Sequence, residues 1–207
     1  MTRVDELLAL GAEVKGFMPP SEGRALYEAG LDQRRGGTWL EIGAWCAKSA
    51  IYLGAAAEQL DCVVFSLDHH HGSEENQRGW DYFDEELVDA HDGRLNTLPH
   101  WQRNIARARL EDVVVGLVGA SQVVAPHFAT PLDLLFIDGG HGEEVAWADY
   151  RAWAPRIVPG GSLLIHDVFE DPAAGGRPPY EIYLAALDSG DFTERAHRGS
   201  LRWLRRR

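Results

Sequence analysis

The sequence predicts an α/β fold, a doubly wound and mostly parallel seven-stranded sheet that ends in an antiparallel C-terminal hairpin. Three observations carry this expectation. Short apolar runs alternate with segments of helical periodicity, the rhythm of successive strand–helix units. Two of those runs, 132–137 and 162–165, end in Asp138-Gly139-Gly140-His141 and His166-Asp167. Open α/β sheets gather their reactive groups at that carboxyl edge. Finally, the last two strand-like runs follow one another too closely for a crossover helix, so they pair antiparallel.

Taken in order, residues 4–14 carry apolar positions at helical spacing. Pro19-Pro20-Ser21-Glu22 then reads as a stop, an N-cap and the start of a second helix through Ala29. Gly36-Gly37 breaks the chain before a β-type run at 38–42. Residues 47–60 read as a helix, 63–67 as a buried strand and 101–110 as a helix. Strands follow at 113–118 and 132–137, then a helix at 143–156. Pro159-Gly160-Gly161 reads as the turn into strand 162–165. A helix at 180–187 and strands at 192–196 and 200–203 complete the series. Segment 69–100 interrupts it with His69-His70-His71, Glu74-Glu75 and the run Trp80, Asp81, Tyr82, Phe83, Asp84. A connection of this length is usually functional or disordered, and its aromatic content disfavours disorder. The organisation is therefore one domain over 1–207, with N-terminal helices within 1–35 and an insertion at 69–100.

Composition narrows the function classes. A chain of 207 residues, 45% hydrophobic and 25% charged, matches a soluble globular domain with room for a sizeable core. Lys+Arg 20 against Asp+Glu 32 gives a net charge of −12, which argues against nucleic acid as the main partner, since phosphate binding needs a basic face. No apolar stretch approaches the roughly 20 residues of a membrane span, and the polar amino terminus is no signal peptide. Cys46 and Cys62 are too few for a disulfide framework or a thiolate zinc site, so the expected location is the cytoplasm.

The loop after the first strand reads Glu41-Ile42-Gly43-Ala44-Trp45-Cys46-Ala47-Lys48-Ser49. A dinucleotide-binding loop places a second glycine where Trp45 stands, because backbone must approach the pyrophosphate there. The bulk of Trp45 disfavours that ligand. A wide loop leading into a helix N-terminus suits instead a ligand with a carboxylate and no pyrophosphate. Asp68, closing the second strand, is positioned for ribose hydroxyls, and Gly119-Ala120-Ser121 after the third leaves room for a purine.

The ordered set Glu41-Ile42-Gly43, Asp68, Asn104-Ile105, Asp138-Gly139-Gly140-His141, Pro159-Gly160-Gly161 and His166-Asp167 resembles the class I S-adenosylmethionine-dependent methyltransferases. More narrowly it is similar to the metal-dependent O-methyltransferases of macrocin, macrolide sugars and the cephalosporin cluster, over roughly residues 20–204. The stretch after Asp68 also resembles small actinobacterial sugar O-methyltransferases. Two positions depart from the family. Ala47 stands where a third glycine is usual, and His166 stands where some members carry an acidic metal ligand.

The resemblance implies a Rossmann-like fold and S-adenosyl-L-methionine as cofactor, held by Glu41, Gly43, Ala44, Ser49, Asp68, His69, Ala120, Ser121 and Asp138. It also implies Mg2+ or Mn2+ on Asp138 and Asp167, with His166 as a third ligand or a hydrogen-bond donor behind them. Because neighbouring strand residues point to opposite faces, His166 and Asp167 converge on one ion only if the strand stops there. His141 is expected to take the acceptor's proton, although a helix-entry residue is its plainer reading.

The expected acceptor is a hydroxyl of a sugar or sugar-bearing small molecule, met by segment 69–100 as binding wall or lid. The aromatic and acidic residues around Trp80 serve either that acceptor or subunit packing. A homodimer is expected, because the first twenty residues form an appended helix with apolar positions to bury. Glu22 either approaches the cofactor or merely opens its helix. Two rivals stand beside this reading: a metal-independent methyltransferase for a phenolic acceptor, and a non-catalytic nucleotide-binding module.

Overall fold

The computed structural model describes the chain from Met1 to Arg207 except Asp81 and His141. Its strands are β1 (Thr38–Ile42), β2 (Val63–Asp68), β3 (Val114–Val118), β4 (Leu132–Ile137), β5 (Ile157–Ile165), β6 (Phe192–Arg198) and β7 (Leu201–Arg206). They form one seven-stranded sheet in the order β3-β2-β1-β4-β5-β7-β6. The pairs from β3 through β5 are parallel, and β7 runs antiparallel to both β5 and β6. The hairpin and the Rossmann-like order of the sheet agree with the sequence reading.

Helices cover both faces because the central strands are apolar on both sides, β4 being buried along its whole length. On one face lie α1 (Arg3–Glu13), α2 (Pro20–Leu31), α3 (Lys48–Leu60) and α4 (Leu98–Ala108), whose buried residues join Trp39, Val64 and Leu134 in one core. The other face carries a short α5 (Ser121–Val124), α6 (Glu143–Trp153) and α7 (Arg177–Asp188) over Leu40, Leu135 and Leu163. Among the described residues no helix is long and apolar enough to cross a membrane.

Three local outcomes differ from the sequence reading. Strand β5 begins at Ile157, so Pro159-Gly160-Gly161 lies within the strand, where the register with β4 shifts between Leu132 and Leu134. Proline and glycine mark an irregular strand start here rather than a turn. One turn of helix, α5, was too short for periodicity to reveal. Helix α1 is not appended to the domain: it buries Leu7 in the core of its own chain and packs Gly11 within reach of the Tyr52 ring.

Register brings the strand ends to one edge. Ile42 pairs with Leu67 on one side and Ile137 on the other, and Ile137 pairs with Ile165. The sheet order reverses between β1 and β4, and ligands of such sheets bind in the crevice that opens there. The loops after β1, β2, β4 and β5 surround it.

Candidate active site

The loop after β1 is shaped by residues in left-handed backbone conformations. Gly43 has φ +92°, and a Cβ on it would lie 2.0 Å from the carbonyl oxygen of Asp138, so only glycine lets the two strand-end loops touch. Trp45 (φ +45°) and Ala47 (φ +77°) share the left-handed region without being glycine. Ala47 therefore carries strain that a glycine would not.

Asp68 ties this loop to β2. Its Oδ2 accepts from the backbone N–H groups of Ala44 and Trp45, both at 2.9 Å, and Oδ1 accepts from His70 N at 2.7 Å. The loop amides thus converge on a carboxylate. Asp68 is half-buried at the end of β2, and holding the loop is the role its contacts show.

The three adjacent histidines do three different things. His69 is exposed and stacks on His71 with ring centroids 6.1 Å apart. His71 Nδ1 lies 2.9 Å from the Leu95 carbonyl. His70 is buried, pairs with Thr97 Oγ1 at 2.8 Å, and burial pushes its pKa below the ordinary value.

Three expected cofactor residues, Glu41, Ser49 and Ser121, are buried and bonded within the protein. Glu41 shares a strand face with Trp39 and lies under α3 with no exposed surface. Its Oε1 accepts from Ser66 Oγ at 2.5 Å, and Ser66 in turn accepts from Trp101 Nε1 at 3.0 Å. Ser49 is buried against the same carboxyl. Burial above all pushes the Glu41 pKa up to about 8, so it is a neutral prop beneath the loop rather than a wall of the crevice. Ser121 is likewise withdrawn: its Oγ donates to Asp149 Oδ1 at 2.6 Å and accepts from Trp153 Nε1 at 2.8 Å. Burial raises Asp149 to about 6. Gly43 and Ala120 remain half-buried along the edge, whereas Ala44 is buried and offers its backbone.

Asp138, His166 and Asp167 come together. One ligand atom from each lies within 4.8 Å of the others. His166 Nδ1 stands 2.9 Å from Asp138 Oδ1 and 3.3 Å from Asp167 Oδ2, yet neither oxygen is in line for a hydrogen bond to this buried nitrogen. Strand β5 stops at Ile165 and Asp167 turns into the left-handed region at φ +54°, which swings both neighbours to one side. That is the condition the strand geometry demanded.

Behind the histidine stands Glu22. Its Oε2 is 2.6 Å from His166 Nε2, and both side chains are buried. Oε1 accepts from Ser200 N at 2.7 Å in the β6–β7 turn. Glu22 neither reaches toward the cofactor loop nor caps its helix; the structure uses it to hold His166. Burial works to raise its pKa, but His166 and Ser200 outweigh that and hold it below the usual value. For His166 burial opposes the charged form, and Asp138, with Asp167 and Glu22, overrides it and raises the pKa well above 6.5. A carboxylate on the buried face of α2, in step with Leu26, Ala29 and Gly30, was the signal in the sequence for this role.

A cation fits this cluster. A buried imidazole nitrogen lacking an in-line partner and two carboxylates facing it form a mixed nitrogen–oxygen donor set. His141, expected as the base, lies outside the described residues, as does Asp81. Over the loop, Trp45 packs on Phe17 (centroids 5.6 Å apart) and Phe17 on Tyr82 (5.2 Å), joining segment 69–100 to the crevice. A cavity of about 530 Å³ lies away from these groups, between Arg3, Glu58 and Arg109 on α1, α3 and the end of α4.

Residues 40–168 match a family described as a methyltransferase domain. The fold is similar to that of the O-methyltransferase NovP, at 18% identity and TM-score 0.68, over 91% of this chain and 80% of that one. It is also similar to the O-methyltransferase TomG of Streptomyces achromogenes, involved in tomaymycin synthesis and solved with SAM (16% identity, TM-score 0.64, 100% of this chain and 90% of that one). A third likeness is to an O-methyltransferase of Bacillus cereus solved with SAH (18% identity, TM-score 0.63, 99% and 90%).

Proposed function

The chain belongs to the methyltransferase-domain family, and from that premise we propose that it is an S-adenosylmethionine-dependent O-methyltransferase acting on a sugar hydroxyl at a divalent-cation site. The observation that carries this reading is the convergence of Asp138, Asp167 and the unpaired Nδ1 of His166 at the crevice edge. Bound there, Mg2+ or Mn2+ supplies Lewis-acid chemistry that lowers the pKa of an acceptor hydroxyl, and the cofactor supplies an activated methyl group.

The chain's own residues account for the remainder. Asp138 and Asp167 offer carboxylate oxygens and His166 offers Nδ1. Gly43 brings the β1 loop against the backbone of Asp138, so the cofactor loop and the acceptor site share one wall. The N-terminus of α3 supplies donors suited to the anionic end of a methionine, whereas the amides of Ala44 and Trp45 are engaged by Asp68. Asp68 keeps carboxylate lone pairs for ribose hydroxyls, and His69 and Ala120 border the same edge. His141, three residues past Asp138 in the sequence, is assigned as the base that takes the hydroxyl proton at an imidazole nitrogen.

A ring-shaped acceptor is favoured by the aromatic pair Phe17 and Tyr82, in contact with each other and exposed at 58% and 51%. Sugars stack their apolar faces on such rings. Asp84 is engaged by Lys15 at 2.5 Å and Glu86 by the same ammonium at 2.6 Å, so these acids tie the insertion to the N-terminal segment rather than meeting sugar hydroxyls.

A metal-independent reading also has an observation behind it, because a protonated His166 satisfies the surrounding carboxylates without an ion. Transfer of labelled methyl from S-adenosylmethionine to a panel of mono- and oligosaccharides, with Mg2+ and again with a chelator, separates the two. Loss of turnover on chelation and recovery on adding cation is expected; turnover untouched by the chelator refutes the cation site.

A further inference from the structure

We infer that Glu22 is a positioning residue that makes His166 a Nδ1 ligand, and that the cation of this site is Mn2+ in preference to Mg2+. The inference rests on the cation-site reading above and deepens it.

The Glu22 carboxylate only accepts, so its 2.6 Å contact fixes the proton of a neutral His166 on Nε2. The opposite nitrogen then presents a bare lone pair beside two carboxylate oxygens, at 2.9 and 3.3 Å. A lone pair facing carboxylates in a buried site is repulsive unless a positive charge stands among them, and a bound cation takes the place that a proton on Nδ1 otherwise fills. The ring has little freedom to escape this arrangement. Phe136 packs against it in an edge-to-face contact, and the backbone N–H of His166 donates to Ile137 O at 3.1 Å.

Glu22 is itself locked from the far end of the chain. Ser200 N donates to Oε1 at 2.7 Å, and Ser200 Oγ lies 3.3 Å from both carboxylate oxygens. The preceding Gly199 has φ +55°, and a Cβ there would sit 2.0 Å from Oε1, so the β6–β7 turn presses against the carboxylate. A carboxylate–histidine pair held this way orients the ligating nitrogen and raises its basicity. Mg2+ favours all-oxygen, strictly octahedral shells, whereas a first-row transition ion accepts imidazole beside carboxylates. An oriented imidazole beside two carboxylates therefore shifts the site toward Mn2+.

The test uses the full-length protein stripped of metal and titrated with Mn2+ and Mg2+ separately. Wild type is expected to bind Mn2+ at least roughly tenfold more tightly than Mg2+, and its bound Mn2+ should show nitrogen hyperfine coupling in pulsed electron paramagnetic resonance. Glu22→Gln should weaken Mn2+ binding by about 10- to 100-fold. Should that variant fail to fold by circular dichroism, Ser200→Ala, which removes one hydrogen bond to Glu22, is expected to give a smaller loss in the same direction. His166→Asp should abolish the nitrogen coupling and erase the preference for Mn2+. Bound Mn2+ without nitrogen coupling, or unchanged Mn2+ affinity in the folded Glu22 or Ser200 variant, overturns this inference and leaves the cation site standing. Absence of binding by either ion overturns both.

Discussion

Replacing Glu41 by Gln gives a prediction whose size follows from the structure. In the unfolded chain this carboxyl loses its proton near pH 4.5; in the folded protein burial holds the proton until about pH 8. Between those values the folded state carries one proton more than the unfolded state. Stability therefore falls as pH rises, by about 1.4 kcal/mol per unit, starting near pH 4.5 and levelling off above pH 8. Integrated to pH 7, the wild type forfeits about 3 kcal/mol relative to a side chain of the same shape that never ionises. Glu41→Gln keeps the volume and an acceptor for Ser66 Oγ while removing the titration. Urea unfolding of both proteins at pH 5 and pH 8 is the assay. All other groups titrate alike in the pair, so the stability difference should move by about 3 kcal/mol in favour of the variant between those pH values. A difference that stays constant with pH would refute the buried, neutral state. Calorimetry with S-adenosylhomocysteine adds a second check: affinity should be kept, because the carboxyl has no exposed atom, and a loss beyond tenfold would make Glu41 a cofactor contact.

Further expectations concern the loops and the base. Gly43→Ala should cost roughly 2–5 kcal/mol, through positive φ and the clash with the Asp138 carbonyl, and an unfolding midpoint equal to wild type would contradict the close approach. Ala47→Gly should stabilise by up to about 1 kcal/mol by releasing left-handed strain, and a drop in thermal midpoint would argue against it. His141→Ala should lower turnover by about 10²- to 10⁴-fold while leaving S-adenosylhomocysteine affinity intact. Turnover at the wild-type level would remove His141 as the base.

Much of this molecule was legible in its sequence because strand and helix patterns are local. Apolar runs at 38–42, 63–67 and 132–137 found β1, β2 and β4, and their shared direction alone brought Asp68 and Asp138 to one edge. The pairing of Asp138 with His166-Asp167 was also readable, since β4 and β5 are successive strands joined by one helix.

Other roles depended on contacts that no local pattern encodes. The single-residue alternation of β1 turned Glu41 inward beneath α3, and Ser121 met Asp149 and Trp153 on α6 instead of a ligand. The bond between Glu22 and His166 spans 144 positions, and that between Glu22 and Ser200 spans 178. Sequence determined which groups reach the crevice, because the sheet carries them there in strand order. Tertiary structure decided which of them face it and which hold another in place, because burial gives an unpaired charge or proton a cost that only a partner from elsewhere in the chain can remove.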